Sequence, residues 1–309
     1  MKLPAVLSVC ILSLPALPLG AVETTPLPEA TSVSTEQVIG RNSTRGIIYR
    51  YQRVKPSDST SNSESAAYFH PLTTPKGLVV TEVGPDDHRH HRGVFFAWVN
   101  MQGATKADFW GWGALAPIEG RRVVNRSVEA VAAGGFLAQN EWLAGDEVLI
   151  QEALGARAAV GGENHVLDLN YSLTPKIDLT LPRVAFSGFC VRVRKGPDIA
   201  MYDPAGLVKL PSPSHEKPET GWPDRAWYAC AVSLPEGRGG VAAISHPSNP
   251  PALWHNVSGI GMLNPCVAAP AELALPKDRP LTLRYRIVSF DGDVPTEKLN
   301  ALAAEFAQR

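Results

Sequence analysis

Short runs of β-branched and aromatic residues, separated by glycine or proline turns, recur along almost the whole chain. Their spacing of about 10–15 residues is typical of strands joined by tight turns. The 26 glycines and 27 prolines supply the residues that such turns require. Because these runs do not alternate with helical patterns, the sequence predicts an antiparallel protein and excludes a doubly wound parallel sheet.

The predicted fold is all-β: a large antiparallel β-sandwich with one C-terminal helix. Strands are expected at 38–54 (a pair), 77–84, 94–101, 123–131, 136–142, 147–160, 165–173, 184–193, 226–234, 240–245 and 281–289. The helix follows Pro295, and its apolar face consists of Leu299, Leu302, Ala303 and Phe306, which repeat with helical spacing. We expect this helix to pack on the outside of the sheet.

The chain divides into a leader, a linker and one domain. Residues 1–21 combine a basic start, an apolar run and a small-residue end, which is the order of a secretory signal peptide. We therefore expect a secreted or periplasmic protein with no membrane association once the signal is removed. Residues 22–37 are expected to form a flexible linker and residues 38–309 a single β-sandwich domain. Within that domain, the proline-rich stretch 204–224 is expected to contain no strand and to be functional or disordered.

Charge and cysteine content exclude several classes of protein. The formal net charge is −1, from 29 basic and 30 acidic residues, so the chain lacks the electrostatic footprint of a nucleic-acid-binding protein. Beyond residue 21 the cysteines are Cys190, Cys230 and Cys266, which permit one disulfide at most. Since no C-x-x-C pair occurs, neither a thiolate zinc site nor a thioredoxin-like site is predicted.

Histidines concentrate in the loop 84–93, which joins two predicted strands. Loops held by a rigid sheet carry a large share of binding and catalytic residues. If this segment is extended, His88 and His90 share one face and His91 lies on the other. Asp87 is then placed to orient an imidazole or to stabilise its charged form.

Three interpretations of this loop stay open. The first is a solvated polar loop. The second is a general acid–base site in which His90 or His91 acts as the base and Arg92 stabilises an anion. The third is a site for a divalent metal with His88 and His90 among its ligands, although the H-x-H-H spacing alone is weak evidence for it. The cofactor, if there is one, is therefore unknown from the sequence.

Two further motifs carry groups suited to sugars. Trp110 and Trp112, in DFWGWG, predict either a stacking wall for the C–H face of a sugar or an aromatic strand corner. The motif HPSNPPALWH supplies four candidate side chains for substrate binding or protonation of a leaving group: His246, Asn249, Trp254 and His255. A glycosidase needs two carboxylates, for which the candidates are Glu82, Asp87, Asp108, Glu141 and Asp168.

Four segments resemble, in the same order, a bacterial secreted family of unknown function that is labelled "methane oxygenase PmoA". They are HPLTTPKGLVVTEVGPDDHRHHRGVFFAW (70–98), ADFWGWG (107–113), HPSNPPALWH (246–255) and LTLRYRIVSFDGD (281–293). The resemblance implies a large β-sandwich similar to sugar-binding supersandwich domains. It also implies a carbohydrate setting, close to proteins that act on 3-keto-glycosides. It implies candidate pocket positions in the motifs but assigns no catalytic roles.

From these observations we expect an exported carbohydrate-active enzyme, a hydrolase or lyase that cleaves a glycoside oxidised at C3. The ketone acidifies the proton at C2, so that a histidine base removes it and the substituent at C1 is expelled. The expected partner is a small-molecule or oligosaccharide substrate. The alternatives are a non-catalytic carbohydrate-binding protein and, as the family label implies, a metal-dependent oxygenase.

Overall fold

The computed structural model describes residues 31–42, 46–131, 134–161 and 163–309. In chain order the strands are β1 (Ser32–Val33), β2 (Gln37–Arg41), β3 (Ile47–Gln52), β4 (Tyr68–Leu72), β5 (Val94–Ala97), β6 (Gln102–Gly103), β7 (Arg121–Val131), β8 (Gly135–Ala144), β9 (Glu147–Gly161), β10 (Asn164–Pro175), β11 (Leu179–Leu181), β12 (Gly188–Arg192), β13 (Ala200–Asp203), β14 (Gly206–Leu207), β15 (Trp227–Leu234), β16 (Gly237–Ser245), β17 (Leu253–Trp254), β18 (Met262–Leu263), β19 (Pro265–Cys266), β20 (Leu273–Leu275) and β21 (Leu281–Asp291). Two single-turn 3₁₀ helices (Pro218–Thr220 and Ser258–Ile260) and one α-helix, α1 (Thr296–Phe306), complete the secondary structure of these residues.

Two large antiparallel sheets contain most of the strands. The first has seven strands in the order β1-β2-β3-β4-β5-β12-β18, and the second has nine in the order β14-β13-β15-β16-β21-β10-β9-β8-β7. Strands β7 to β10 follow one another as antiparallel hairpins, as the glycine-punctuated sequence of this region predicts. Two small sheets, β20-β11-β6 and β17-β19, join the connecting segments. The predicted all-β antiparallel fold is confirmed.

Aromatic rings pack between the two large sheets and form much of the core. Tyr51 of β3 contacts Phe136 of β8 with ring centroids 4.9 Å apart. Phe189 of β12 stacks on Tyr285 of β21 at 4.1 Å. All four residues are fully or almost fully buried. Because aromatic side chains bury large apolar areas, these pairs fix the face-to-face packing of the sandwich.

A buried polar network also joins the two sheets. Asn140 Nδ2 and Trp142 Nε1, both of β8, donate hydrogen bonds to Glu152 of β9 at 2.7 and 2.8 Å. Tyr51 of the opposite sheet donates to Asn140 Oδ1 at 3.0 Å. Burial raises the pKa of Glu152 to about 7, despite these two donors. Each polar group finds a partner, which offsets the free-energy cost of removing it from water.

The C-terminal helix packs on the outer face of the nine-stranded sheet. Its buried residues are Leu299, Leu302, Ala303 and Phe306, as predicted, and they contact a second apolar cluster that includes Trp227 and Phe290. Arg286 of β21 forms two hydrogen bonds to Asp168 of β10 and donates a third to the carbonyl of Leu302. The helix is therefore fixed by both apolar packing and a buried guanidinium.

Several local predictions need correction. The run 77–84 makes only isolated bridges, because its residues pair singly with Thr73, Val193 and Arg92 instead of forming a ladder. The stretch 204–224 does contain a short strand, Gly206–Leu207, which pairs with β13.

The N-terminal predictions fall largely outside the described residues. The predicted signal peptide 1–21 lies there, as do residues 22–30 of the predicted linker. From residue 32 the chain belongs to the seven-stranded sheet, in which Ser32 of β1 lies opposite Ile39 of β2. The sheet therefore begins inside the range 22–37 that the sequence predicts as a linker.

The three described cysteines, Cys190, Cys230 and Cys266, are free and buried, so the single disulfide that the sequence permits does not form among them. Burial raises the pKa of all three thiols. In the described part of the chain, no helix is both long and apolar enough to cross a membrane.

Candidate functional site

Five segments that are distant in the chain surround a pocket of about 190 Å³. Its histidines are His88, His90, His91, His215 and His255. Its aromatic and aliphatic lining consists of Trp110, Trp112, Phe186, Pro213, Val257, Ile260 and Met262. The lining contains imidazoles and apolar groups but no carboxylate, amide or guanidinium side chain. This composition determines which chemistry the pocket can support.

The histidine loop is turned, not extended. The backbone N–H of His91 donates to the carbonyl of His88 at 2.9 Å, which closes a tight turn. The rings of His88 and His91 stack at 4.8 Å, and the ring of His90 stands edge-on to His91 at 4.7 Å. Arg89 instead forms an ion pair with Asp86. His91 was expected on the opposite face from His88 and His90 only if the segment is extended, and this turn does not follow the alternation of a strand.

A buried arginine lies behind the histidine loop. The side chain of Arg192, at the end of β12, has no solvent exposure. Its Nη1 is 3.3 Å from Nδ1 of His91. Its Nη2 is 2.9 Å from Asp87 Oδ1 and 3.4 Å from Glu82 Oε2. Two carboxylates thus compensate the buried charge. Burial acts to raise the pKa of Asp87, but the hydrogen bond with Lys195 and the charge of Arg192 together lower it.

Burial lowers the pKa of four pocket histidines, namely His88, His90, His91 and His255, and so favours their neutral form. Burial lowers the pKa of His90 to about 3 and that of His255 to about 4. The pKa of His91 is well below its ordinary value, because of burial first, then His90 and Arg192. Burial also lowers the pKa of His88, although the neighbouring Asp87 opposes this effect. Neutral imidazoles offer both a lone pair and an N–H to a ligand.

Besides Nδ1 of His88, which lies 3.4 Å from Oδ2 of Asp87, two ring nitrogens at the pocket are buried without a partner. Nε2 of His90 and Nδ1 of His255 make no hydrogen bond within the described residues. A buried polar atom left unpaired costs about 1–3 kcal/mol. Both residues line the pocket, so a polar ligand that reaches these nitrogens removes this penalty.

A glycine turn positions the tryptophan wall against the histidines. The carboxylate of Asp108 accepts hydrogen bonds from the backbone N–H groups of Gly111 at 2.9 Å and Gly113 at 3.1 Å. Gly111 has a φ of +102°, and a Cβ at this position would lie 2.6 Å from Cβ of His90. Only glycine allows this close approach. The turn leaves Trp112 40% exposed, with its ring 6.0 Å from that of His90.

Two residues predicted to be catalytic lie behind the pocket and not in its lining. Arg92 is buried, donates to the carbonyl of His90 at 3.0 Å and covers the ring of Phe95. Asp87 pairs with Arg192 and Lys195. Both therefore support the loop from behind.

Three residues predicted to bind substrate lie elsewhere. His246 packs edge-on against Phe306 of α1 at 5.0 Å, and its Nε2 accepts a hydrogen bond from Arg284. Asn249 exchanges two hydrogen bonds with the backbone of Arg284. Trp254 is fully buried against Tyr228. Of the HPSNPPALWH candidates, only His255 lines the pocket.

The candidate carboxylates all have structural partners. Glu82 and Asp87 pair with Arg192, and Asp108 binds the glycine turn. Glu141 pairs with Arg126, and Asp168 pairs with Arg286. Because none of them lines the pocket, a two-carboxylate glycosidase mechanism has no support there.

Three residues that shape the pocket are not among the candidates that the sequence motifs indicate: Phe186, Arg192 and His215. Phe186 lies 5.5 Å from both Trp110 and His255 by ring centroid, and so joins the two aromatic walls. His215 lies 6.1 Å from Trp112. The sequence did contain a feature that could have identified His215, because it is the one histidine in the proline-rich stretch 204–224. Phe186 and Arg192 carry no comparable signal, since only the tertiary fold brings Phe186 into the pocket lining and Arg192 behind the histidine loop.

A metal ion was one of the three interpretations of the histidine loop. Within the described ranges, no group of three or more histidine, cysteine, aspartate or glutamate side chains is arranged to hold one. The ring centroids of His88 and His90 are 5.6 Å apart. Metal ligation by this pair stays a prediction.

Comparisons with known proteins identify a family but no activity. A family model described as a family of unknown function, DUF6807, matches residues 41–304. No curated protein matches the chain.

Among solved structures, the chain is similar to the GH36 α-galactosidase AgaB from Geobacillus stearothermophilus, with 9% identity, 87% of this chain and 41% of that chain covered, and a TM-score of 0.42. It is also similar to the heparan sulfate lyase HepC from Pedobacter heparinus, with 7% identity and a TM-score of 0.36. That match covers 86% of this chain and 37% of the lyase. A third similar structure is the Slr1438 protein from Synechocystis sp. PCC 6803, with 10% identity and a TM-score of 0.40. That match covers 88% of this chain and 100% of the Slr1438 chain. The chain thus spans about two fifths of the α-galactosidase and of the lyase. TM-scores this low carry no argument about activity.

Replacing Gly111 with alanine tests the close approach of the tryptophan turn to the histidine loop. We expect Gly111→Ala to lower the free energy of unfolding by about 1–3 kcal/mol more than Gly206→Ala, because only the first adds a steric clash. Gly206 is the matched control: its φ is +111°, and a Cβ there meets nothing within 4 Å. Urea unfolding of both variants measures the difference. Equal losses would contradict the proposed contact with His90.

The lowered histidine pKa values predict loss of stability in acid. Near pH 6.5 the unfolded chain binds protons at these side chains, whereas in the folded state His255 does so only near pH 4 and His90 near pH 3. Their stabilising contribution is therefore complete above pH 6.5 and falls as the pH decreases, by up to about 1.4 kcal/mol per pH unit for each group. Urea unfolding between pH 7 and pH 5 measures this slope, and His255→Gln should make it shallower. An identical slope in the variant would refute the assignment.

Proposed function

The chain belongs to the DUF6807 family, whose function is unknown, and we propose that it cleaves a glycoside oxidised at C3 by removing the proton at C2. The observation that carries this proposal is a pair of neutral histidines, His90 and His255, in one pocket. Each has a buried ring nitrogen that lacks a hydrogen-bond partner in the described part of the chain. The exposed Trp112 beside them offers a flat apolar surface for the C–H face of a sugar.

The composition of the pocket favours elimination over hydrolysis through an oxocarbenium ion. The latter needs two carboxylates, and none lines the pocket. Elimination from a 3-keto sugar needs a base, a donor to the ketone oxygen and a platform for the ring, which imidazoles and an indole supply. The volume of about 190 Å³ suits one sugar ring. The leaving group would then extend past the exposed Trp112.

In the proposed reaction, Nε2 of His90 takes the proton from C2. The C–H electron pair forms the C1–C2 double bond by way of an enolate, and the C1–O bond breaks. The leaving oxygen receives the proton that His90 carries as an imidazolium, because a neutral His255 is a poor acid and contributes a hydrogen bond only. The products are an unsaturated keto sugar and a free alcohol.

The low pKa of His90 affects both steps of the proposed reaction, the removal of the C2 proton and the protonation of the leaving oxygen. It makes the imidazolium a ready proton donor to the leaving oxygen. Proton removal is assisted because the imidazolium and the enolate form together as a pair of opposite charges in a poorly hydrated pocket.

Turnover on matched substrates tests the proposal. We expect the purified chain to release the aglycone from an aryl 3-keto-glycoside and not from its unoxidised parent. His90→Gln should lower kcat by about 10²–10⁴-fold, because general acid–base catalysis is lost. His246→Gln is the matched control, since His246 is a buried histidine outside the pocket lining, and it should retain activity.

No release from either substrate by folded wild-type protein would refute the enzymatic proposal. Saturable binding of the keto sugar without release, measured by calorimetry and dependent on Trp112, would instead support a carbohydrate-binding protein.

We also propose that the protein is exported, on the basis of the basic, apolar and small-residue order of residues 1–21. The full chain expressed in a bacterium should appear in the periplasm or the medium with its new N-terminus close to residue 22. Mass spectrometry of the isolated protein measures this end. Cytoplasmic protein that retains residue 1 would contradict the proposal.

A further inference from the structure

We propose that Arg192 is a positioning residue that fixes His91 as the tautomer with its proton on Nε2, so that the pocket presents a permanent hydrogen-bond donor to a carbonyl oxygen of the ligand. The identity of that oxygen as the C3 ketone rests on the proposed function. The tautomer itself does not, because it follows from contacts within the protein.

The contact between Arg192 and His91 permits only one arrangement of protons. Nη1 of Arg192 is 3.3 Å from Nδ1 of His91. A guanidinium has five N–H donors and no acceptor, so the imidazole nitrogen that faces it must carry the lone pair. In a neutral ring the proton is then on Nε2. Protonation of Nδ1 would point two N–H groups at each other.

The guanidinium is held in this orientation from its other side. Nη2 of Arg192 contacts both oxygens of Asp87, at 2.9 and 3.2 Å, and Oε2 of Glu82 at 3.4 Å. The backbone is fixed as well, because the N–H of Arg192 donates to the carbonyl of Gly93 at 2.7 Å. The arginine therefore cannot turn away from His91 without losing its ion pairs with Asp87 and Glu82.

The same charge keeps His91 from becoming an imidazolium. Burial and the neighbouring His90 and Arg192 hold the pKa of His91 well below its ordinary value. His91 thus stays neutral across the range in which a glycoside-processing enzyme works. It donates a hydrogen bond and keeps its proton, because loss of that proton would leave an imidazolate anion, which does not form near neutral pH.

This assigns different roles to two adjacent imidazoles. The rings of His90 and His91 are 4.7 Å apart and nearly perpendicular. His90 has an unpartnered Nε2 and acts as the base, whereas His91 is the donor. As the C2 proton leaves, negative charge develops on the ketone oxygen, and the hydrogen bond from His91 strengthens. No proton moves along this bond. Arg92, the stabiliser suggested by the sequence, does not line the pocket.

The ligand class follows from the donor. A molecule that carries a carbonyl group next to a removable C–H proton gains most from a fixed N–H at His91. An unoxidised sugar places a hydroxyl group there, which develops no charge. We therefore expect selection for the ketone to appear mainly in kcat and less in KM, because the hydrogen bond strengthens in the transition state.

Nitrogen-15 NMR of the histidine side chains in the wild-type protein tests the tautomer directly. We expect His91 to show a protonated Nε2 and an unprotonated Nδ1 from pH 8 to pH 6. A protonated Nδ1, or rapid exchange between the two tautomers, would overturn the proposal. This measurement needs neither a substrate nor a variant, so it decides the inference even if the chain has no activity on keto sugars.

Three variants then test the link to function with the aryl 3-keto-glycoside. Arg192→Met should let His91 sample both tautomers and raise its pKa, and should lower kcat by about 10–100-fold with little change in KM. Arg192→Lys keeps a charge and a donor and should restore part of this loss. Arg194→Met is the matched control, because Arg194 pairs with Glu236 at the surface, and it should leave the tautomer and kcat unchanged.

These outcomes separate the two proposals. Absence of turnover in the wild type together with the Nε2–H tautomer would refute the proposed reaction and keep the positioning role. Full kcat in folded Arg192→Met would refute the catalytic role of the tautomer. If Arg192→Met does not fold, the wild-type spectrum and Arg192→Lys still decide the inference.

Discussion

The buried guanidinium of Arg192 is the interaction on which the candidate site depends. A single charged group contacts Asp87, Glu82 and His91, and its backbone binds the end of the histidine loop. Removing one partner of such a buried cluster commonly costs about 3–5 kcal/mol, because a charge is left uncompensated. Arg192 also lies opposite Met262 in the sheet, so the apolar wall and the histidine loop share one support.

Burial shifts titratable groups of this sandwich towards their neutral forms in more than one place. Glu152, between the sheets, has a raised pKa, and His90 and His255 of the pocket have lowered ones, for the same reason: burial disfavours the charged form of either group. The guanidinium of Arg192 behind the pocket is charged, and it lies against the carboxylates of Asp87 and Glu82. The pocket is therefore a weakly polar space with fixed charge behind its wall. Such a space favours reactions in which charge develops on the ligand.

The sequence predicted the elements better than the site. Strand patterning and the four apolar helix positions depend on local periodicity, which the chain shows directly. His90, Trp112 and His255 were found because their motifs are dense in functional side chains. Arg192 and Phe186 were not, since only the tertiary fold places Arg192 behind the histidine loop and Phe186 in the pocket lining. His246 and Asn249 were predicted to bind substrate but lie outside the pocket lining. Two prolines and a short strand separate them from His255, and His246 packs against Phe306 of the C-terminal helix.

The five segments that line the pocket are spread between residues 88 and 262, and long stretches of chain separate them. The pocket therefore exists only when these distant segments have come together, and none of the segments forms it alone. A ligand that occupies it stabilises the whole domain and not one loop. At a hundred times its dissociation constant, this amounts to about 2.7 kcal/mol. Thermal stability of the intact chain is thus itself a means of finding its ligand.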